Sequence, residues 1–384
     1  MDDITSAMDE KKYTMGIFID LKKAFDTINH ELLMDKLEKY GIRGIVLKWI
    51  RSYLTQRRQF VKLGEYQSSE LDIVCGVPQG SVLGPKLFIL YINDICKVSD
   101  LVKVVLFADD TTIWASGENL QQLSGRVSQE LEKIKKWCDS NILSLNLDKT
   151  KFMVFGNRRL DNELQLKSGG ANIERVHEIK FLGVIVDDKF SWKSHIRYVQ
   201  HKIAKNISIL ARVRYILDGK ALRILYSSLI LPYLEYGVEN WGNTYKSSLQ
   251  PLYILQKRAI RIVHKMGYRD HTNGAFIQSK LLNFFDLVGY KTAVFMYKAR
   301  NNLLPGGIKK LFHKKGRGIQ FKGSVKFKNS CYTYNQKKFC ISISGVKLWN
   351  SLSVDIKIVI ELTSLNINIK VCVNQDICKN RLND

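Results

Sequence analysis

Apolar residues recur at helical spacing in several segments of the chain. Residues 30–40 place Leu33, Leu37 and Tyr40 on one face, and Gly41 supplies a stop signal. The same spacing predicts further helices at 44–54, from Gly84 through Ile92, and at 119–139, 192–214, 219–231 and 247–265. The chain is therefore largely helical after Ser191.

Shorter apolar runs predict strands between the early helices. Residues 16–20 read GIFID, a buried strand that ends on a carboxylate. Residues 104–108 and 111–114 are two β-rich runs separated by Asp109 and Asp110, which predicts a hairpin. Other strands are predicted at 58–63, 71–75, 151–155 and 179–186.

The composition is that of an ordinary folded chain. Of 384 residues, 45% are hydrophobic, 25% are charged and only five are proline. These values exclude a disordered or collagen-like protein, and the length suggests two or three domains.

Charge is distributed unevenly between the two halves. Residues 1–160 carry 23 basic and 21 acidic side chains, whereas residues 161–384 carry 37 and 15, within a total of +24. Residues 287–354 contain no acidic residue. A polyanionic partner, most simply nucleic acid, follows from this asymmetry. The best domain boundary lies between residues 160 and 190.

The densest basic segment is interleaved with aromatic residues. Eight of its side chains in 309–328 are Lys or Arg, and Phe312, Phe321 and Phe327 lie among them. This mixture suits base stacking and phosphate contact, although a solvated face or a nuclear-import patch has a similar composition. The predicted nucleic-acid contacts are Lys309, Lys310, Lys314, Lys315, Arg317 and Lys322.

The seven cysteines are scattered and form no C-x-x-C pair, which favours reduced thiols over disulfides or a zinc finger. The N-terminus is acidic, unlike a signal or transit peptide. No apolar run approaches the roughly 20 residues of a membrane span. We therefore expect a soluble intracellular protein, nuclear or cytoplasmic, with no membrane partner.

Asp109 and Asp110 at a two-residue hairpin tip are unusual, because such turns favour Asn-Gly, Asp-Gly or Gly-Gly. Adjacent carboxylates repel, so a compensating cation is expected. Asp20, at the end of another strand, is a natural third member of the cluster. Carboxylate oxygens suit Mg²⁺. The alternative is a surface hairpin with ordinary acidic residues.

Several segments in fixed order resemble a known family. Residues 19–26 (IDLKKAFD), 76–85 (GVPQGSVLGP) and 107–110 (FADD) resemble three core motifs of reverse transcriptases, specifically those of non-LTR, LINE-type, jockey-like retrotransposons. Residues 145–151 (LNLDKTK) are similar to a fourth motif, and 181–187 (FLGVIVD) to the primer-grip hairpin.

The resemblance continues into the basic half of the chain. Residues 233–237 (YLEYG) with Trp241 and Gly242, and residues 347–352 (KLWNSL), are similar to the C-terminal region of the same elements. It implies an α+β fold with a right-hand polymerase palm, an antiparallel sheet backed by helices. Residues 1–190 would form the palm, 191–300 a helical thumb and connection, and 301–384 a mostly helical basic C-terminal region.

The resemblance implies roles for the acidic residues. Asp20 and Asp109 would bind metal, assisted by Asp110, with the backbone carbonyl of Leu21 as a further ligand. The cofactor would be two Mg²⁺ ions, or Mn²⁺ in their place. Lys149 would protonate or neutralise the departing pyrophosphate, although an exposed lysine is the competing interpretation.

The resemblance also implies a nucleotide pocket and a primer contact. Phe25 would exclude a 2′-hydroxyl, although a core phenylalanine fits the same position. Pro78, Gln79 and Gly80 would shape the pocket beside the templating base. The primer terminus would be held by Phe181, Leu182 and Gly183.

The implied activity is RNA-directed DNA polymerisation, with an RNA template, a DNA primer or target and a dNTP as partners. Only nineteen residues precede Asp20, so we expect an N-terminally truncated member with most of the fingers missing. The alternative is a catalytically inactive nucleic-acid-binding remnant, and a maturase-like splicing factor ranks last. The sequence does not indicate an oligomeric state.

Overall fold

We analysed a computed structural model of the chain. It describes residues 1–156, 164–312, 327, 337–357 and 360. The chain divides into two compact units. The first unit is Glu10–His177, and the second joins Met1–Asp9 to Glu178–Asp384. None of the described helices has both the length and the apolar character that a membrane crossing requires.

The first unit is built on a six-stranded sheet. Numbered in chain order, the strands of this unit are β1 (Tyr13–Ile19), β2 (Leu21–Lys22), β3 (Arg57–Gln59), β4 (Lys62–Leu63), β5 (Tyr66–Gln67), β6 (Leu71–Ile73), β7 (Lys103–Phe107), β8 (Asp110–Gly117), β9 (Ser144–Leu145), β10 (Lys151–Phe155), β11 (Leu166–Ser168) and β12 (Ala171–Arg175). The strand order in the sheet is β11-β12-β10-β1-β8-β7, and the pairs β3 with β6 and β4 with β5 form an exposed arm.

Strand β1 lies in the middle of the sheet because both of its edges are paired. It runs antiparallel to β8 and to β10, and Met15 and Ile17 on it are fully buried. The pairing of β10 with β12 is parallel. The sheet is thus mostly antiparallel, as expected, with one parallel pair that the sequence did not indicate.

The α-helices described in the first unit are α2 (His30–Lys39), α3 (Gly44–Leu54), α4 (Gly84–Ile92) and α5 (Leu120–Ser140). The apolar stripe of α5, including Leu123, Val127 and Leu131, is buried in one core with β1. Asn119 accepts hydrogen bonds from the first free amides of α5, which sets where that helix begins. The helices thus back a sheet whose central strand carries Asp20 at its end.

The second unit is mainly helical. Its elements are α1 (Asp2–Asp9), β13 (Glu178–Phe181), β14 (Val184–Asp187), α6 (Lys193–Val213), α7 (Gly219–Leu229), α8 (Leu231–Glu235), α9 (Val238–Trp241), α10 (Lys246–Val263), α11 (Asn273–Gln278), α12 (Phe284–Arg300), α13 (Gly306–Lys309) and α14 (Ile341–Ser351). Helices α6, α7 and α10 pack together and contain no acidic residue. Their apolar stripes face inward, which leaves a basic outer face.

Helix α1 belongs to the second unit although it is the first element of the chain. The hydroxyl of Thr5 lies 3.2 Å from the Cys340 thiol, and Ser342 hydrogen-bonds to Asp2. Lys337 forms an ion pair with Asp9 at 3.4 Å. Residues more than 300 positions apart are therefore neighbours, which no local pattern predicts.

The helices predicted from periodicity are confirmed to within a few residues at each end. Several elements were not predicted, among them the short helix α1, the strands β11 and β12, and helix α12, which is 17 residues long. The predicted helix at 219–231 ends at Leu229, and the short helix α8 follows, with Pro232 in its first turn.

Candidate active site

Three carboxylates meet at one edge of the central sheet. Asp20 follows the last residue of β1, and Asp109 and Asp110 lie where β7 turns into β8. Because Ile19 pairs with Thr111 in the antiparallel ladder, the next residues along, Asp20 and Asp110, face each other at the end of the two strands. The predicted acidic cluster is thus present in the fold.

The hairpin turn is shifted by one residue from the prediction. Phe107 pairs with Asp110, so the two turn residues are Ala108 and Asp109, and Asp110 is the first residue of β8. Ala108 adopts a φ of +52°, a backbone region that favours glycine. A strained non-glycine residue beside a functional candidate is a recurrent feature of active sites.

The electrostatics of Asp110 reflect this crowding. Partial burial raises the pKa of its carboxyl, and the negative charges of Asp109 and Asp20 raise the pKa further. All three causes disfavour the ionised form. A bound cation would reverse their effect, so the donor set suits a hard cation such as Mg²⁺.

The cluster is not a closed metal cage. Among the residues that the structure describes, no group of three or more Asp, Glu, His or Cys side chains is arranged as a metal site. Mg²⁺ does not need such a cage, because it commonly binds one or two carboxylates and completes its coordination shell with water and substrate phosphates. Asp20 and Asp109 are the candidate ligands, with Asp110 beside them.

Asp20 is held in place by the segment after β9. The Asn146 side-chain amide donates to Asp20 Oδ2 at 2.8 Å, and the Asn146 backbone amide donates to the Asp20 carbonyl at 2.8 Å. The Asp20 amide donates to the Thr150 hydroxyl, which in turn donates to the Asn146 carbonyl. Of this segment, the sequence pattern predicted only Lys149 as a site residue, and Asn146 and Thr150 were missed.

Lys149 lies between these two residues on an exposed turn. Its backbone amide donates to the Asn146 carbonyl at 3.2 Å, and its side chain is exposed to solvent. Lys149 is thus close in sequence to Asn146 and Thr150, which contact Asp20. Its role in the reaction stays a prediction.

Two of the predicted nucleotide-site residues lie within five positions after Asp20. Leu21 is buried and pairs with Leu145, which joins the strand after Asp20 to β9. Phe25 is half-buried, and its ring lies 4.6 Å from that of Phe88 at an angle of 31°. Phe25 is thus both a core contact and a partly exposed ring, so the two interpretations of this residue are compatible.

The loop between β6 and α4 packs against the segment that carries Phe25. The amides of Gly76 and Val77 donate to the carbonyls of Ile28 and Phe25 at 2.8 and 2.9 Å. Gly76 has a φ of +85°, and a Cβ there would lie 2.8 Å from the Asp26 carbonyl oxygen. Only glycine fits this close approach.

Of the three predicted loop residues, Gln79 has the clearest contact. Its side-chain amide donates to Asp26 Oδ1 at 2.8 Å. Pro78 accepts a hydrogen bond from the Ser81 hydroxyl through its carbonyl, and Gly80 has a φ of +77° with open space around it. The loop is therefore anchored at Gly76 and exposed around Gly80.

This loop forms one wall of an open cavity of about 740 Å³. Pro78 and Gln79 line it together with the polar side chains of Lys23, Asp26, Arg57 and Arg58, whereas the three carboxylates do not. The Asp26 carboxylate accepts a hydrogen bond from the Gln79 amide, and Arg58 Nε donates to Asp72 Oδ1 at 3.0 Å. Within the described part of the chain, the charged lining residues that form no ion pair are Lys23, Asp26 and Arg57.

The predicted primer-grip residues lie in the second unit. Phe181 ends β13, and Leu182 and Gly183 form the turn before β14. Lys180 and Lys202 both lie over the Tyr198 ring, at 5.5 and 5.6 Å. The predicted hairpin is confirmed, and its role as a primer grip stays a prediction.

The predicted basic contacts are only partly described. Lys309 and Lys310 are exposed at the end of α13. Lys314, Lys315, Arg317 and Lys322 lie outside the described residues. Their contact with nucleic acid stays a prediction.

The first part of the chain is similar to one known family. Residues 1–186 match the family described as reverse transcriptase (RNA-dependent DNA polymerase). This range contains all three carboxylates, the loop at Gly76 and the hairpin at Leu182 except its last residue, Asp187. The family match and the geometry therefore concern the same residues.

Individual proteins show the same similarity. The RNA-directed DNA polymerase from mobile element jockey of Drosophila melanogaster is 29% identical over 266 residues, which cover 66% of this chain and 29% of that protein. The probable RNA-directed DNA polymerase from transposon BS of the same organism is 28% identical and covers 69% and 30%. The chain thus spans less than a third of the length of either relative.

A telomerase structure from Candida albicans matches with a TM-score of 0.41 at 15% identity, covering 76% of this chain and 46% of that one. The jockey and BS polymerases are both proteins of mobile elements. Residues 1–186 of this chain are therefore similar to the reverse transcriptase family, and the described part of the chain has a mixed helix and sheet fold.

Proposed function

We propose that this chain is an RNA-directed DNA polymerase of a non-LTR mobile element. The observation that carries the proposal is the convergence of Asp20, Asp109 and Asp110 at the end of paired strands, within the residues that match the family. The reaction joins a primer 3′-oxygen to the α-phosphorus of a dNTP and breaks the bond to the departing pyrophosphate.

The acidic residues would bind the cofactor in this reaction. Asp20 and Asp109 would hold two Mg²⁺ ions, or Mn²⁺ in their place, with Asp110 and the Leu21 carbonyl nearby. When bound, two such ions lower the pKa of the attacking hydroxyl and neutralise charge on the leaving group. Asn146 and Thr150 would keep the Asp20 carboxylate oriented.

The remaining residues would bind and position the substrates. Phe25 would exclude the 2′-hydroxyl of a ribonucleotide, and Gln79 with Pro78 and Gly80 would line the nucleotide pocket. Lys149 would donate a proton to pyrophosphate, or neutralise its charge. Such positioning contributes to the rate because the reaction needs the two oxygens in line with phosphorus.

The partners that suit this activity are an RNA template and a DNA primer or target. The acid-free helices α6, α7 and α10 support a nucleic-acid partner through their charge. In the three-part division we propose, residues 1–190 act as palm, 191–300 as thumb and connection, and 301–384 as a basic extension. Such a substrate implies nuclear or cytoplasmic action.

The test is primer extension on an RNA template with Mg²⁺ and dNTPs. Asp109→Asn should lower extension at least a hundredfold, because it removes one negative ligand. Asp100→Asn is the matched control, since it changes an exposed aspartate just before β7 and should extend like the unaltered chain. Equal extension by Asp109→Asn and the unaltered chain would exclude the proposed catalytic role.

A second candidate function is nucleic-acid binding without catalysis. The basic outer face of the second unit favours it, because this surface does not depend on the carboxylates. In that case the chain would bind RNA in a salt-sensitive manner and would not extend a primer. Asp109→Asn would then bind RNA as tightly as the unaltered chain.

A further inference from the structure

One segment that resembles the family has no role in the function proposed above. It is residues 233–237 with Trp241, which span the junction between α8 and α9. The Tyr236 hydroxyl donates a hydrogen bond of 2.7 Å to the carbonyl oxygen of Leu182, in the turn between β13 and β14. This contact joins two segments that lie 54 positions apart.

The turn that receives this hydrogen bond has demanding geometry. Phe181 pairs with Val184, which leaves Leu182 and Gly183 as a two-residue loop with φ angles of +45° and +81°. Two positive φ values are typical of a type I′ turn, for which Asn-Gly is the preferred sequence. Leucine at the first position is unfavourable, so a contact from outside the hairpin is needed to hold it.

The Tyr236 ring also covers the second residue of the turn. A Cβ on Gly183 would lie 3.1 Å from the Tyr236 ring. A Cβ on Gly237, which has a φ of +61°, would lie 3.3 Å from Val184. Both glycines therefore permit a close approach between the turn and the segment that carries Tyr236.

Tyr236 is itself anchored from the core of the second unit. The Trp241 indole donates to the Tyr236 carbonyl at 2.9 Å, and Trp241 is fully buried. The Trp241 ring lies 5.1 Å from His195, edge to face. His195 accepts a hydrogen bond from the Ile185 amide on β14. The contacts of Tyr236, Trp241 and His195 therefore begin and end on the hairpin, at Leu182 and at Ile185.

We propose that Tyr236 is a positioning residue that clamps the Leu182–Gly183 turn in the shape that receives a primer end. Its hydroxyl fixes the Leu182 carbonyl, and its ring restrains Gly183. Trp241 fixes Tyr236 in turn. The primer part of this assignment rests on the proposed polymerase function, whereas the clamp itself is a property of the second unit.

The first test measures the clamp without any activity. Amide hydrogen exchange is followed in residues 178–187 of the full chain, for Tyr236→Phe and for Tyr233→Phe. Phenylalanine keeps the ring and removes only the hydroxyl, so the fold is retained. Tyr233 lies in α8, the short helix that ends just before Tyr236, and is the matched control, since its hydroxyl bonds to no residue that the structure describes.

The clamp predicts that Tyr236→Phe speeds exchange of this segment about tenfold and that Tyr233→Phe leaves it unchanged. Equal exchange in both variants and the unaltered chain would overturn the clamp. Gly237→Ala is a second variant, because the added Cβ would lie 3.3 Å from Val184. We expect faster amide exchange of residues 178–187 in this variant too.

The second test measures primer extension by the same variants. Tyr236→Phe should lower kcat/KM for the primer about tenfold and change KM for the dNTP less than twofold. A change in KM for the dNTP as large as the change in kcat/KM for the primer would overturn the link to the primer. If the unaltered chain extends no primer, the polymerase proposal and the link to the primer both fail, while the exchange experiment still decides the clamp.

Discussion

Asn146 and Asp20 are joined at two points, side chain to side chain and backbone to backbone, both at 2.8 Å. The carboxylate therefore cannot turn without breaking a hydrogen bond to a residue 126 positions away. A candidate metal ligand with one fixed oxygen offers its other oxygen in a defined direction.

Replacing Asn146 should therefore impair the site more than the fold. Asn146→Ala is expected to lower primer extension roughly 10- to 100-fold and to raise the Mg²⁺ concentration for half-maximal rate, because outer partners of metal ligands have effects of this size. Extension measured across a Mg²⁺ titration checks this. Asn93→Ala, on the exposed end of α4, serves as control. Unaltered Mg²⁺ dependence in Asn146→Ala would contradict the assigned contact.

Gly76 should be far less tolerant of substitution than Gly80, although both have a positive φ. Gly76→Ala places a Cβ 2.8 Å from a backbone oxygen, whereas Gly80→Ala meets open space. The expected loss of unfolding free energy is about 3 kcal/mol or more for Gly76→Ala and about 1 kcal/mol for Gly80→Ala. Urea unfolding of both variants measures the difference, and equal losses would show that φ alone matters.

Phe25 should govern sugar selection if the polymerase proposal holds. Phe25→Ala opens space beside the nucleotide and is expected to increase ribonucleotide incorporation, relative to deoxynucleotide, roughly 10- to 100-fold. The measurement is competitive incorporation of rNTP and dNTP. Phe25→Tyr keeps a flat ring and should retain discrimination. A Phe25→Ala variant that discriminates normally would leave Phe25 as only a partner of Phe88.

His195 should make the second unit sensitive to acid. Burial lowers its pKa to about 4, and its Nδ1 accepts the Ile185 amide, so the folded state holds it neutral. The unfolded chain takes up the proton near pH 6.5, and the folded chain only near pH 4. The stability contribution of neutral His195 is thus present above pH 6.5 and is lost as the pH falls toward 4, by roughly 3 kcal/mol in total.

Urea unfolding at pH 7 and at pH 4.5 measures this loss. His195→Gln provides the comparison, because glutamine can accept the same amide and does not titrate. The pH dependence of the unfolding free energy should be shallower in the variant, by up to about 1.4 kcal/mol per pH unit. Identical slopes would show that His195 is protonated in the folded state or accessible to water.

Cys340 should react slowly with thiol reagents. Burial raises its pKa to about 11, whereas Cys75 and Cys96 are exposed. Since the thiolate is the reactive form, labelling of Cys340 at pH 8 should be at least tenfold slower than that of Cys75. Thr5→Arg displaces α1 from Cys340 and should remove this protection without affecting Cys138, which is buried in the first unit. Mass spectrometry after timed alkylation distinguishes the sites.

The sequence predicted much of the fold because most of the long helices, though not α12, carry a clear periodicity in their own residues. The apolar stripe of α5 and the buried run of β10 are local signals, and their bounds are confirmed closely. The strands β11 and β12 are three and five residues long and partly polar, so they have no comparable signal. Their place in the sheet depends on pairing with β10.

The candidate site was predictable in its acidic residues and not in their supports. Asp20, Asp109 and Asp110 follow apolar strands, and a carboxylate at such a point is conspicuous in the sequence. The contact of Asn146 with Asp20 depends on the pairing of β2 with β9, and the tight fit of Gly76 depends on the path of Asp26. Both contacts join segments that are distant in the sequence, so no local pattern predicts them. The turn at Ala108 was misassigned because its positive φ falls on an alanine, which turn rules do not favour.

The packing of α1 against Cys340 has a consequence for synthesis. The first unit is one continuous stretch of chain, so all of its residues are available once His177 has been made. Helix α1 is made earlier still, yet its partners at Cys340 and Ser342 come more than 300 residues later. At typical rates of 5–20 residues per second, α1 stays unpaired for about half a minute. During that time its buried face, with Ala7 and Met8, is exposed to the cell, so a segment made before the first unit is among the last to reach its folded place.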